Sequence, residues 1–549
     1  MAPSASQKVT TSGRISAPLR SSRFRTLWLA NLVSAVGTMV QGVGAAWLMT
    51  TLAGTPDLVA MVQTATQIPV LLFALAAGTV ADLWDRRRVL LLAQLWTVLV
   101  STWLAVLGGL GLVTPSMLLL FTFFIGVGAA FTGPAWQASM REIVRREHLA
   151  AAVTLNAVAN NTARAVGPAI GGVVIALGGA SAAFYLNAGA TLILVAALFW
   201  WRREVPVDDL PRERIGSALV GGLRYVVETR TLRAVLVRGV VFGLGASSVL
   251  ALLPLVARDR LGGGPLVYGL ALGAFGIGAL IGAFLIPRLR HRLGSEAVVT
   301  ILSAVFAGAT LSIGLLSASL PAVVAALALA GGAWLGSLST FNISVQMTTA
   351  FWVQARVLAV YQATIFGGMA AGSWLWGHVA SATSLETAHL ASGALLLVSL
   401  ALHFRYRLPA EEAPDLRPRQ LSELQPAFPF DRKAGPVLVL IEYRVPLANV
   451  GPFVEAIHVV GHVRKRDGAW RWHLYQDTAD AEHWYEAFTV GSWLHYLHQR
   501  RRGTAADEII LQRARSWLDP AFKPVVRRML SRGPRMDGAQ ELGAVIQVP

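Results

Sequence analysis

The feature that most constrains this chain is a succession of apolar stretches, each close to 20 residues long, separated by short basic clusters. A helix needs about 20 mostly apolar residues to cross the hydrocarbon core of a bilayer. Such stretches lie near 27–52, 58–81, 89–110, 116–139, 151–177 and 182–201, and again near 234–257, 266–286, 297–317, 321–346, 357–380 and 387–404. Inside lipid, backbone polar groups must be satisfied within their own segment, so each stretch is predicted to be helical. The expected architecture is an all-α membrane protein of twelve transmembrane helices in two six-helix halves, followed by a soluble C-terminal domain.

Charge placement sets the expected orientation. Only 14% of residues are charged, against about 25% in soluble domains. Loops on the side of the N-terminus carry Arg86–Arg88, Arg141, Arg145 and Arg146, then Arg202, Arg203, Arg212 and Arg214, then Arg288, Arg290 and Arg292. In the opposite loops only Arg258 and Arg260 are basic. The positive-inside rule then puts both termini in the cytoplasm, and an even number of spans agrees. Met1–Arg25 is polar and basic, without the apolar region of a cleavable signal peptide. The net charge of +17 mostly flanks apolar segments, so nucleic acid is not an expected partner; the lipid bilayer is. With no cysteine, disulfides and thiolate metal sites are excluded, and no cofactor is implied. Arginine outnumbers lysine heavily, a bias compatible with a GC-rich bacterial genome.

Composition divides the chain into an N-terminal segment (1–26), a first bundle (27–201), a central loop (202–233), a second bundle (234–404), a Pro-rich linker (405–435), a soluble domain (436–530) and a tail (531–549). The two bundles share a faint plan around Gly133–Gln137 and Gly336–Gln346, and parallel six-helix repeats are a property of the major facilitator fold.

The loop Gly78-Thr79-Val80-Ala81-Asp82-Leu83-Trp84-Asp85-Arg86-Arg87-Arg88 resembles the major facilitator motif Gly-x-x-x-Asp-(Arg/Lys)-x-Gly-Arg-(Arg/Lys), with Leu83 and Asp85 in place of the usual basic residue and glycine. The resemblance implies that Asp82, Arg86 and Arg87 make charge contacts at the cytoplasmic seam between the halves, with Gly78 permitting close helix approach. Together with Phe24–Trp28, Trp47–Thr50 and Gly167–Gly172, it is similar to the enterobactin-exporter-like branch, the transmembrane secretion effectors. That implies export of small molecules such as siderophores, drugs or secondary metabolites from a bacterial inner membrane.

The fifth span carries the sharpest candidate site. Asn156, Asn160 and Arg164 are four apart and so share one face, with Gly167 and Gly171 expected to serve helix packing. An arginine in mid-span costs at least ~2.5 kcal/mol to insert, so Arg164 is expected to face the bundle interior or a watery cavity, with a partner such as Asn160 or amides on neighbouring spans. Either it binds an anionic group or joins a gate, or it anchors a structural network. Gln41, Gln67 and Gln362 are further candidates for substrate binding or gating; like Gln63 and Gln94, each also suits interhelical hydrogen bonding. No acid lies well inside a span. No Gly-x-x-x-x-Gly-Lys-(Ser/Thr) motif occurs, which argues against ATP-driven transport.

From Pro436 the pattern changes to strands that alternate apolar and polar residues. Strands at Val437–Tyr443, Ala469–Gln476, Trp484–Val490 and Lys523–Met529 are predicted, with helices at Val450–Arg466, Ser492–Arg501 and Ala505–Trp517. The order β-α-β-β-α-β is ferredoxin-like. With Gly468–Trp472, Asp477, Glu486 and Ser492–His495 it looks like the dimeric α+β barrels of the antibiotic-biosynthesis monooxygenase type. A homodimer through this domain is a candidate assembly. The functional expectation is a secondary exporter rather than an enzyme; the alternatives are a membrane-tethered enzyme or sensor acting through the C-terminal domain, or an importer on the same fold.

Overall fold

The computed structural model describes residues 16–53, 55–201, 215–408, 415–416 and 428–531. They divide into two compact units. One takes in Met1–Ile215, Arg233–Val345 and Leu358–Glu411; the other gathers Gly216–Leu232, Gln346–Val357 and Glu412–Pro549.

The first unit is helical throughout its described length. It contains α1 (Ser22–Leu52), α2 (Pro56–Leu83), α3 (Arg86–Gly109), α4 (Pro115–Ile143) and α5 (Leu149–Trp200). After α6 (Ile215–Glu228) come α7 (Arg230–Leu255), α8 (Pro265–Leu316), α9 (Leu320–Thr348), α10 (Gln354–Ala382), α11 (Leu385–Ser399) and α12 (Leu402–Arg405). Among the described residues nine helical stretches are long and apolar enough to cross a membrane. Local chemistry sets their starts. Pro56, Pro115 and Pro265 occupy first-turn positions, where the missing N–H costs nothing. Thr114, Ser384 and Asp85 cap the N-termini of α4, α11 and α3 by accepting from Met117, Thr387 and Arg88.

α5 and α8 are each 52 residues long, roughly 78 Å if straight, far more than a hydrocarbon core of about 30 Å. Each turns back at a glycine of positive φ, Gly179 (73°) and Gly294 (79°), a conformation that glycine adopts without the Cβ clash of other residues. The neighbours of α1 show the reversal. Gly167 lies against Met39 and Gly171 against Val43, so the first arm of α5 runs along α1. Gly44 lies against Ala183 and Gly37 against Ala190, so the second arm runs against it. In α8, Ile286 and Leu302, eight residues either side of Gly294, both reach Gly336.

The second unit holds a four-stranded antiparallel sheet in the order β2-β3-β1-β4. The chain runs β1 (Val437–Arg444), α13 (Val450–Asp467), β2 (Trp470–Gln476), β3 (His483–Val490), α14 (Trp493–Arg502), α15 (Ala505–Arg515), β4 (Val525–Leu530). Val437, Val439, Ile441 and Tyr443 alternate onto one face and, with Trp484, Phe488 and Val490, bury against Phe453, Ile457 and Val460 of α13. These elements lie within a few residues of their predicted places. α6 does not: the central loop was expected to be irregular, yet Ile215, Leu219, Gly222 and Val226 repeat at helical spacing and Tyr225 and Val226 are buried. Burial of Tyr225 and Val226 accounts for a helix where the composition suggested a loop.

Candidate transport pathway

The two bundles of the first unit meet along two helix pairs. α2 packs on α10: the Asp57 backbone N–H donates to Ser381 Oγ (3.0 Å), Ser381 Oγ to Asp57 Oδ1 (3.1 Å) and Thr64 Oγ1 to the Ala370 carbonyl (3.1 Å). α5 packs on α8, where Gly172 and Gly269 bring two backbones so close that a Cβ on either would collide with the other helix. Arg258 donates to the Thr50 carbonyl at the same end, and Trp47 stacks on Tyr268 with centroids 6.2 Å apart. These described cross-bundle contacts extend from Asp57 and Ser381 as far as Leu71 of α2, Arg164 of α5, Gly276 of α8 and Gly367 of α10.

Arg164 lies at the last of these contacts on α5. Its backbone touches Gly276 of α8, and toward the Arg86 end α5 exposes Thr154, Ala157 and Asn160. At 100° per residue the exposed polar pair Asn160 and Arg164 is turned roughly 130° from the exposed apolar stripe Val166, Ile170, Val173 and Leu177. The apolar stripe suits lipid; the polar face suits water. Arg164 is exposed in the middle of the first arm of α5. Among the described residues Arg164 forms no hydrogen bond or ion pair.

The other candidates divide. Asn156 accepts from Trp136 Nε1 at 2.8 Å, which fastens α5 to α4. Gln41 is buried (4% exposed) in a network spanning three helices. Its Oε1 accepts from Ser101 Oγ (2.9 Å) and from Asn187 Nδ2, which also donates to Ser101 (3.0 Å). Thr191 and Ser34 extend it. This is the interhelical hydrogen bonding that a glutamine in a span also suits. Gln94 donates to Thr132 Oγ1 (3.1 Å). Gln67 and Gln362 are half-buried on α2 and α10, with no described bond to Arg164.

The loop motif differs from its expectation in two ways. A Cβ on Gly78 would meet open space, so close helix approach is not its role. Arg86 donates to Glu142 Oε1 (2.8 Å) and to the carbonyls of Ala138 (3.1 Å) and Ala81 (3.2 Å). Arg87 donates to the carbonyls of Leu198 (2.9 Å) and Phe199 (2.5 Å) at the end of α5. All these described partners belong to the first bundle. The side chain of Asp82 lies outside the described residues.

Arg238 of α7 was not among the sequence candidates, yet it is 7% exposed and donates to Glu296 Oε1 (2.6 Å), Thr300 Oγ1 (3.4 Å) and the Tyr406 carbonyl (3.4 Å). Glu296 also accepts from the Leu408 N–H (2.7 Å). The available signal was Glu296, an acid at the leading edge of the predicted span 297–317.

Comparison with known proteins identifies the family and the fold. The profile of the transmembrane secretion effector family matches residues 14–536. The multidrug efflux pump Tap of Mycobacterium tuberculosis is 28% identical over 401 residues, 71% of this chain and 94% of that protein. The enterobactin exporter EntS of Salmonella typhimurium is 25% identical over 390 residues, 69% of this chain and 91% of that protein. Among solved structures, an inward-facing, unoccupied bacterial homologue of the human lysosomal transporter Spinster superposes with a TM-score of 0.56 at 13% identity, covering 71% of this chain and 97% of that one. The nucleoside transporter NupG gives 0.57 at 13% identity, covering 71% and 100%. The chain belongs to the transmembrane secretion effector family and has the major facilitator transporter fold.

Proposed function

We propose that this protein is a secondary exporter of small molecules carrying a polar or anionic group, working by alternating access in a bacterial inner membrane. An exposed mid-span arginine with no described partner, Arg164, carries the reading: a permanent cation there is a recognition group for an anion. Twelve crossings follow if α5 and α8 each cross twice and α10 supplies one more. The arginine-rich loops support cytoplasmic termini and a cytoplasmic Arg86 end. A cavity opening there is the loading state this reading requires of an exporter. Export rather than import is supported by Tap and EntS, whose names describe an efflux pump and an exporter.

The C-terminal domain is assigned a regulatory or assembly role. Its strand order supports the ferredoxin-like reading. The sheet face turned away from the helices exposes Leu438, Tyr475, Val525 and Met529, which suits a second copy of the domain. Transport in cells tests the main reading. Cells expressing the protein should accumulate less of an effluxed probe (fluorescein as an organic anion, ethidium as a cation) than cells without it, and Arg164→Gln should remove the difference for the anion. Equal accumulation in wild type and null cells across such a panel would overturn it.

A further inference from the structure

The C-terminal domain contains a cavity of about 200 Å³ between the inner face of its sheet and its helices. Val439, Ile441 and Phe488 form an apolar floor, and Val460 and Leu511 an apolar side. Arg464, Arg500, Arg515 and Arg528 also line it, against two acids, Asp467 and Asp507.

The acids are already engaged. Asp467 Oδ1 accepts from Arg466 Nε (3.0 Å) and Asp507 Oδ2 from Arg466 Nη2 (2.7 Å); Arg466 is not among the lining residues. Asp507 Oδ2 also accepts from the Thr504 N–H and hydroxyl. Behind the floor Glu486 is fully buried, and it too is neutralised: Tyr443 Oη (2.8 Å), Trp472 Nε1 (2.9 Å) and Arg464 Nε (3.2 Å) all donate to it. Burial and the neighbouring Glu486 hold the Tyr443 hydroxyl well above its usual range, so it stays protonated and keeps donating. The cavity therefore has an apolar floor and an excess of guanidinium groups. Arg464 keeps part of its fork accessible (27%), and Arg528 is held by a bond from its Nε to Tyr496 Oη (2.7 Å).

We propose that this cavity binds a small amphipathic carboxylate, its apolar part on Val439, Ile441 and Phe488 and its carboxylate at Arg464, Arg515 and Arg528. Its volume is below the ~300–1,000 Å³ of drug-sized pockets, which suits one aromatic ring or a short acyl chain. Arginine matches a carboxylate by paired parallel N–H bonds. The site is also placed to be read elsewhere in this unit. Arg466, held by two of its acids, lies 5.2 Å over the ring of Tyr225 in α6, and Tyr225 Oη bonds the Thr348 carbonyl and the Ala350 N–H. The proposal does not depend on the export reading.

Calorimetric titration of the purified full-length chain in detergent tests it, with phenylacetate and octanoate as probes and phenylacetamide as the neutral counterpart. One or both acids should bind with sub-millimolar affinity and the amide at least about tenfold more weakly, as expected when charge-assisted bonds are lost. Arg515→Gln/Arg528→Gln should weaken acid binding by a similar factor without lowering the melting temperature. Val460→Phe, which fills the cavity and keeps every charge, should also weaken it. Arg164→Gln should leave it unchanged, which separates this site from the membrane cavity. No binding of either acid at millimolar concentration, equal binding of acid and amide, wild-type affinity in both cavity variants, or loss of binding in Arg164→Gln would each overturn the proposal.

Discussion

Arg164 and Arg238 are both arginines within helices of the membrane bundle, and their surroundings are opposite. Arg238 is buried and saturated, with a carboxylate, a hydroxyl and a carbonyl around its guanidinium. Arg164 is exposed in mid-span and without a described partner. The difference shows how to read a charge in a bundle. Where the fold itself supplies the counter-groups, the charge holds helices together. Where the fold exposes the charge in mid-span without a partner, the counter-group must come from elsewhere.

The sharpest way to break this comparison is Arg238→Ala. It strands Glu296 and frees the end of α12 from α7; removing one partner of a buried pair costs about 3 kcal/mol or more, and the partial exposure of Glu296 (32%) places this one at the lower end. The melting temperature in detergent should fall by several degrees, and Arg238→Met/Glu296→Met should recover part of the loss. A wild-type melting curve for Arg238→Ala would remove the clamp. Next in size is Asn187→Leu. It withdraws the donor shared by Gln41 and Ser101, leaving buried polar groups unsatisfied at about 1–3 kcal/mol, and should lower stability with transport per folded molecule little changed.

Arg164→Gln reverses that pattern. Its melting temperature should match wild type while transport of an anionic substrate falls at least about tenfold, and Arg164→Lys should fall between, since it keeps the charge without the planar fork. Destabilisation by both would make Arg164 a structural residue like Arg238.

The smallest effect concerns a third buried charge, Asp467. Burial raises its carboxyl from 3.8 to about 6 in spite of the Arg466 guanidinium beside it. An acid whose folded pKa lies above its unfolded one favours folding when protonated. Its stabilising contribution is therefore complete below about pH 4 and lost as pH rises to about 6. Hydrogen exchange of α13 in the intact chain should show protection falling across that window, and Asp467→Asn should flatten the trend.

Much of this was legible in the sequence, for identifiable reasons. Lipid tolerates only long apolar runs, so the helices announced themselves. In the C-terminal domain, Val437, Val439, Ile441 and Tyr443 alternate because one sheet face is buried. Arg164 was legible because a mid-span arginine is expensive wherever it occurs. The partners were not. Gln41 meets Asn187 across 146 residues and Arg238 meets Glu296 across 58, pairings that exist only once helices are packed. α6 was overlooked because a short apolar stripe among arginines looks like a loop until something covers it.

The central claim is that the α5 face bearing Arg164 lines a cavity reached from the Arg86 end. With no native cysteine, one introduced thiol gives an unambiguous signal. Ala157→Cys lies on that face, a turn or two from Arg164 toward the Arg86 end. In inside-out vesicles it should react rapidly with a membrane-impermeant maleimide, and in right-side-out vesicles slowly. Reaction only from the outside, or from neither side, would contradict the account.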